Sequence, residues 1–297
     1  MSGPSLALLS RLAENRSIPF DPARMPTSRW FEASDGLQLH YLDWPGGQDT
    51  AVLLHGGALS AHTFDLLALA LGAGVRCIAL DLRGHGQSGW ECGYEVDRWA
   101  RDVVELVGML DIQTVHVAGM SLGGCIAGHA AAGLGDRLGS LTFIDVADQV
   151  NFAATARMRT FLKNARPVRR VEDMVAEAMA ISAKTDPELM LYRYQSLLKA
   201  TANGFDWRAD RRRPPNFPHM LDKLAELVLL APAIACPVLV VRGGRSNVFD
   251  QTISKRFSGA FPNGRSATVP DAGHNVQEDQ PVALAIELRR QFASIER

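Results

Sequence analysis

The chain has 297 residues at 32.3 kDa, which leaves room for one core with a sizeable insertion but not for two large domains. Hydrophobic residues make up 47% and charged ones 21%, which excludes a disordered or fibrous chain. A formal net charge of −1 and a pI near 6.7 give no field that points to nucleic acid or an anionic membrane as partner, so any charge-based specificity must be local.

Residues 1–17 carry no basic segment ahead of their short apolar stretch, and that stretch is too brief for the core of a signal peptide. No window approaches the roughly 18 uninterrupted apolar residues of a membrane span. A cytoplasmic protein is expected. After a polar leader rich in Pro and Arg, residues 29–33 and 37–44 read as two strands joined by the turn signal Ser34-Asp35-Gly36, so the sheet begins as a hairpin. Residues 51–54 and 77–80 are short apolar runs, each ending in a loop rich in Gly and His, with a helical stretch at 63–71 between them. A helix at 96–110, a strand at 114–118, a helix at 122–133 and a strand at 140–144 continue the pattern. Repeated strand and helix alternation predicts a parallel sheet covered on both faces.

The alternation then stops. From about residue 147 the periodicity is mostly helical, broken at Pro167, Pro187, Gly204 and Pro214-Pro215, and this stretch reads as an inserted cap. It resumes with a strand at 238–241, a helix near 250–257, a strand at 266–269 and a closing helix at 282–293. The predicted organisation is therefore a core of residues 1–146 and 232–297, split by a helical cap at 147–231. There is no internal repeat, and Arg211-Arg212-Arg213 is too short for a basic tail. Cys77, Cys92, Cys125 and Cys236 are scattered without metal-ligand spacing, and neither a disulfide nor a metal site is expected.

The strongest chemical signal is Gly119-Met120-Ser121-Leu122-Gly123, because this G-x-S-x-G run follows a predicted strand and opens a predicted helix. The serine of such an elbow sits on a sharp, strained turn, and the glycines let the strand and helix backbones pass closely while its hydroxyl is held out. Gly124 extends the same small-residue surface. At a helix start, free N–H groups and the positive end of the dipole favour an oxyanion, so Leu122 N–H is a candidate donor. His55-Gly56-Gly57, just after an earlier strand, offers a second N–H at Gly57, with Ala58 as its neighbour. His55 itself reads as a residue that bonds loop backbone rather than one that moves protons.

Four motifs in this order resemble the α/β-hydrolase family: His55-Gly56-Gly57, Asp81-Leu82-Arg83-Gly84-His85-Gly86-Gln87-Ser88, the run Gly119 to Gly124, and Asp271-Ala272-Gly273-His274. The resemblance spans roughly residues 28–146 and 232–297; the cap is similar only in position and helical character. It implies a mostly parallel eight-stranded α/β-hydrolase sheet with helices on both faces and an inserted helical cap. It also implies a nucleophile at Ser121, a base at His274 on the loop before the last helix, and a structural loop at Asp81 to Ser88. His40, His62, His116, His129 and His219 lack a supporting motif and read as structural or surface residues.

The triad acid departs from the usual pattern. Most relatives carry an Asp in the loop after the strand at 238–241, where this chain has Ser246 and Asn247. An uncharged amide in that role costs a serine protease about four orders of magnitude. Some members of the family take the acid from the preceding strand end, which makes Asp145 the preferred candidate, with Asp250 and Asp148 as alternatives. The competing reading of Asp145 is a carboxylate that caps the following turn or pairs with an arginine.

Residues 151–213 hold 13 Lys and Arg against 7 Asp and Glu, a basic cap on a slightly acidic chain. Either these are solvated helix faces or they steer an anionic substrate. Arg157, Arg159, Arg193 and Arg208, together with Ala58 and Met120 beside the oxyanion donors, are the candidate substrate contacts. The expected reaction is hydrolysis of an ester or amide of a small carboxylate-bearing substrate through an acyl-enzyme, with no cofactor and no metal. Carbon–carbon hydrolysis of a ketonic ring-fission product is an alternative, and a non-hydrolytic enzyme or small-molecule receptor of the same fold is another. No nucleic-acid or membrane partner is expected, and the oligomeric state is open.

Overall fold

A strand covered on both faces needs apolar side chains on both sides, and residues 49–54, 75–80, 115–120, 138–144 and 238–243 are mostly apolar and mostly buried. The computed structural model describes residues 3–90, 94–181, 185–212 and 217–294, so Cys92, Arg213 and Pro214-Pro215 lie outside the described residues. In chain order the elements are α1 (Leu6–Glu14), β1 (Thr27–Glu32), β2 (Gln38–Trp44), β3 (Asp49–Leu54), α2 (Asp65–Leu71), β4 (Val75–Leu80), α3 (Val96–Met109), β5 (Val115–Met120), α4 (Leu122–Leu134) and β6 (Leu138–Ile144). The inserted segment contributes α5 (Ala156–Asn164), α6 (Val171–Met179), α7 (Pro187–Leu197), β7 (Leu198–Thr201), β8 (Gly204–Trp207) and α8 (Phe217–Leu230). The chain closes with β9 (Val238–Gly243), α9 (Gln251–Ser258), β10 (Gly264–Val269), α10 (Val276–Asp279) and α11 (Pro281–Phe292).

The large sheet has eight strands in the order β1-β2-β4-β3-β5-β6-β9-β10. Only the pairings of β2 with β1 and with β4 are antiparallel; the rest are parallel. Side chains along β3 alternate between two cores. Val52 and Leu54 join the cluster under α3, α4 and α9, while Ala51 and Leu53 join the cluster under α2 and α11.

Three elements differ from the sequence reading. Residues of the supposed polar leader form α1, capped by Ser5 and burying Leu8, Leu9, Leu12 and Ala13. Their spacing is helical, but the segment is short and its polar flanks hide it. The cap is not all helix, because β7 and β8 pair as a hairpin with Thr201 opposite Gly204. The cap's own apolar cluster runs from Phe161 to Trp207, whereas Met220, Leu224 and Leu227 of α8 belong to the core cluster on α4. Packing thus places α8 with the core although it lies inside the predicted insertion.

The cap rests on the loops that leave β3 and β4. Asp210 N–H donates to Gly84 O at 2.7 Å, Tyr94 Oη donates to Asp210 Oδ2 at 2.8 Å, and Trp90 Nε1 donates to Arg208 O at 2.8 Å. Both loops leave the carboxyl edge of the parallel strands, where ligands gather in open α/β sheets.

Candidate active site

Ser121 caps α4 with φ 52° and ψ −115°, a left-handed conformation that a residue with a side chain rarely adopts. The turn exists because its neighbours have no side chains. A Cβ on Gly119 would lie 2.1 Å from Gly123 O, and one on Gly123 would lie 2.1 Å from Leu54 O. Ser121 N–H donates to Ile144 O at 3.0 Å, tying the elbow to the neighbouring strand. The residue after Ile144 is Asp145, also left-handed, with φ 49°.

Asp145 is fully buried and accepts three hydrogen bonds. Gly243 N–H donates to Oδ1 at 2.8 Å, while Ser246 Oγ at 2.5 Å and His274 Nδ1 at 2.7 Å share Oδ2. An ionised carboxylate only accepts, so Nδ1 of His274 carries the proton and Nε2 is the nitrogen left to act as a base. The His274 side chain is 30% exposed and Ser121 is half-buried, so both are open to a ligand. Among the described residues, Ser121 Oγ makes no hydrogen bond and His274 makes only the one to Asp145. Serine–base contacts are commonly long in unliganded enzymes and tighten when substrate binds.

The loop after β9 braces both partners. Arg245 N–H donates to Ala272 O at 2.8 Å, and a Cβ on Gly243 would lie 2.1 Å from Gly273 O, so only glycine lets the two backbones approach. Arg242 shapes the same loop by donating to Phe249 O at 2.9 Å and Ser246 O at 3.0 Å. Ser246 and Gly243 were not singled out from sequence. The signal for Ser246 lay in its standing where the usual acid was missing.

The other two candidate acids are engaged elsewhere. Asp250 caps α9, accepting from Ile253 N–H at 2.8 Å, and Asp148 forms an ion pair with Arg256 at 2.7 Å. Neither bonds His274. Gly57 lies near the Leu122 side chain, whose Cδ2 would be 3.9 Å from a Cβ built on the glycine. Leu122 and Gly57 N–H donate to no other described residue. Ala58 follows with φ 61°, and Met120 is buried against Gly56.

Of the histidines outside this set, all but His219 have a hydrogen-bond partner among the described residues. His55 is buried, with Nδ1 on Gly56 O at 2.8 Å and Nε2 accepting Leu82 N–H at 3.1 Å, and burial lowers its pKa. His85 lies edge-on to it, and burial, then the charge of His55, push its pKa down to about 3. His40 bonds Asp81 at 2.7 Å, His62 bonds Asp65 at 2.7 Å, and His116 bonds Ser140 at 2.9 Å. His129 bonds Lys223 O at 2.9 Å, and His219 is half-buried. Cys77, Cys125 and Cys236 are free thiols. Among the described residues no cluster of His, Cys, Asp or Glu forms a metal-ligand set, and no helix is long and apolar enough to cross a membrane.

The cap arginines are dispersed. Arg193 is not available to a substrate, because it is buried in an ion pair with Glu278. Burial at a helix surface demands a counter-ion, and Glu278 supplies it. Arg208 donates through Nε to Leu198 O at 3.1 Å and lines a small polar cavity with Ser60, His62, Asp81 and Gln87. Arg157 is exposed beside an open groove between α5 and α6 that Phe161, Ala165 and Ile181 also line, and Arg159 is half-buried on α5.

Comparison with known proteins agrees with this architecture. The sequence profile of the alpha/beta hydrolase fold matches residues 51–281, and the chain belongs to that family. It is a hydrolase. Esterase Rv0045c of Mycobacterium tuberculosis is 30% identical over 260 residues, 84% of each chain. A crystal structure of that esterase superposes with a TM-score of 0.79 at 27% identity, covering 99% of this chain and all of the other. Haloalkane dehalogenase 2 of the same organism is 27% identical over 292 residues, 93% of this chain and 99% of the relative.

Proposed function

We propose that the protein is a serine esterase in which Ser121 is the nucleophile, His274 the base and Asp145 the carboxylate that orients it. The observation that carries this reading is the 2.7 Å contact of His274 Nδ1 with the buried carboxylate of Asp145, at the strand end beside the Ser121 elbow.

His274 Nε2 takes the Ser121 proton as Oγ attacks the substrate carbonyl. The N–H groups of Leu122 and Gly57 receive the oxyanion, each worth roughly a hundredfold or more in rate. The protonated imidazole hands its proton to the leaving alcohol, and water then hydrolyses the acyl-enzyme by the reverse route. Asp145 keeps the Nδ1 proton in place and stabilises the imidazolium. The esterase relative supports an ester over an amide, and the loss of Arg193 to Glu278 weakens the case for a substrate with a second carboxylate.

The test is turnover of short-chain aryl esters, with labelling by an aryl fluorophosphonate located by peptide mass spectrometry. Label on Ser121, and loss of both label and turnover in folded Ser121→Ala, is the expected result. Ester turnover that survives Ser121→Ala would defeat the assignment.

A further inference from the structure

A buried polar cluster joins the cap to the core outside the contacts of Ser121, His274 and Asp145. Helix α7 lays Leu189 and Tyr192 into the core cluster on the α2 and α11 face, while Met190, Tyr194 and Leu197 stay in the cap's own cluster. Arg193 of α7 meets Glu278 of α10, and their side chains are only 10% and 4% exposed. The other carboxylate oxygen of Glu278 accepts the Thr63 hydroxyl at 2.7 Å, and Thr63 Oγ1 accepts Gln277 Nε2 at 2.9 Å. Beside them Tyr192 donates to Asp65 at 2.5 Å.

One buried carboxylate thus holds three pieces together: the cap helix, the segment after β3 that begins with His55-Gly56-Gly57, and the short helix that follows His274. The residue next to it, Asp279, accepts Gly273 N–H at 2.7 Å, immediately before His274. Among the described residues, the buried Arg193 Nε and Gln277 Oε1 have no hydrogen-bond partner. Removing the cation would strand the buried Glu278 charge and loosen whatever it holds.

We propose that the Arg193–Glu278 pair is a clasp through which the seating of α7 sets the placement of His274 and of the Gly57 segment, so that Arg193 is a positioning residue for the reaction. The inference rests on the assignment of Ser121 and His274 given above. It requires no contact between Arg193 and the reacting atoms. A displacement of about 1 Å at a base or oxyanion donor lowers turnover by about a hundredfold.

The experiment compares Arg193→Met, Arg193→Lys and the apolar pair Arg193→Met/Glu278→Leu for thermal unfolding, kcat, KM and amide hydrogen exchange. Arg193→Met is expected to lower kcat by about ten- to a hundredfold with a much smaller change in KM. Its exchange should rise in the peptides covering 56–64 and 270–280 as well as in the cap. Arg193→Lys should restore most of the activity, and the apolar pair should regain thermal stability without regaining kcat. Exchange that rises only within the cap, or an apolar pair with wild-type kcat, would overturn the clasp. Hydrogen exchange needs no turnover, so failure of Ser121 to take the phosphonate label would defeat the esterase reading while the exchange data still decide this one.

Discussion

Ser246 donates its hydroxyl to Oδ2 of Asp145 at 2.5 Å, the oxygen that also receives His274 Nδ1. Ser246 stands in the loop where most of the family carries its acid, so the two loops converge on one point beside the imidazole. A carboxylate delivered from either loop can serve it. Asp145→Asn should lower kcat/KM by about four orders of magnitude. Adding Ser246→Asp to that variant should recover at least about tenfold, because charge returns to the same place. Aryl-ester kinetics on the folded variants decide the matter. Asp145→Asn with wild-type turnover would remove Asp145 from the mechanism.

The elbow's glycines and the candidate oxyanion glycine should respond differently to a methyl group. In Gly123→Ala the new carbon meets Leu54 O at 2.1 Å, a backbone atom that cannot step aside, and a loss of about 3 kcal/mol or failure to fold is expected. In Gly57→Ala the nearest atom is 3.9 Å away, so stability should stay within about 0.5 kcal/mol. Thermal unfolding of the two proteins is the check; equal losses would mean that the close backbone approach is not what selects glycine.

Acid should weaken the fold in two stages. Burial, then the charge of His55, hold the His85 pKa at about 3 against 6.5 for an exposed ring. The unfolded chain therefore takes up a proton that the native protein refuses. The advantage of the native state is complete above pH 6.5 and drains away as pH falls from there towards 3. Asp81 adds a second stage. Its burial raises the pKa, but the bond and charge of His40, then His55 and the Ala61 N–H, bring it to about 2 from 3.8, so its contribution is lost as pH falls from 3.8 through 2. Between pH 7 and 4 the His85 site alone should account for on the order of 3 kcal/mol. Urea midpoints of wild type and His85→Gln at pH 7, 5 and 4 should diverge accordingly, and parallel curves would contradict the shift.

Burial pushes the thiols of Cys77 and Cys125 up to about 12. Only the thiolate alkylates, so native protein at pH 8 should leave both untouched by iodoacetamide, while urea should expose them. Peptide mapping reads the outcome, and rapid native labelling of either would show that its strand or helix opens readily.

The sheet was legible because its signal is local and repeated. Residues 51–54 and 77–80 are apolar runs, residues 114–118 and 140–144 lie between predicted helices, and all four fall within strands but for Thr114. The strand-to-helix turn at Ser121 and the loop that carries His274 were legible because the proposed chemistry needs particular residues in a particular order. The cap was less so. Its hairpin was marked by Asn203-Gly204, a turn signal that also reads as a helix break, and pairing of β7 with β8 is a tertiary fact. The partner of Arg193 was hidden for the same reason, since Glu278 lies 85 residues away and nothing in either segment names the other.

Ala58, Ser121, Asp145 and Asp271 all hold a positive φ, and all four lie just beyond the carboxyl ends of core strands. Each side chain there costs about 1–3 kcal/mol relative to a relaxed backbone. The edge that would carry the proposed chemistry is therefore also where the fold is least at ease. Glycine at Ser121 would relax the turn and remove the proposed nucleophile, whereas glycine at Asp145 would also leave without a partner the three donors that its carboxylate satisfies. At Ser121 the ease of the backbone and the proposed turnover therefore pull in opposite directions.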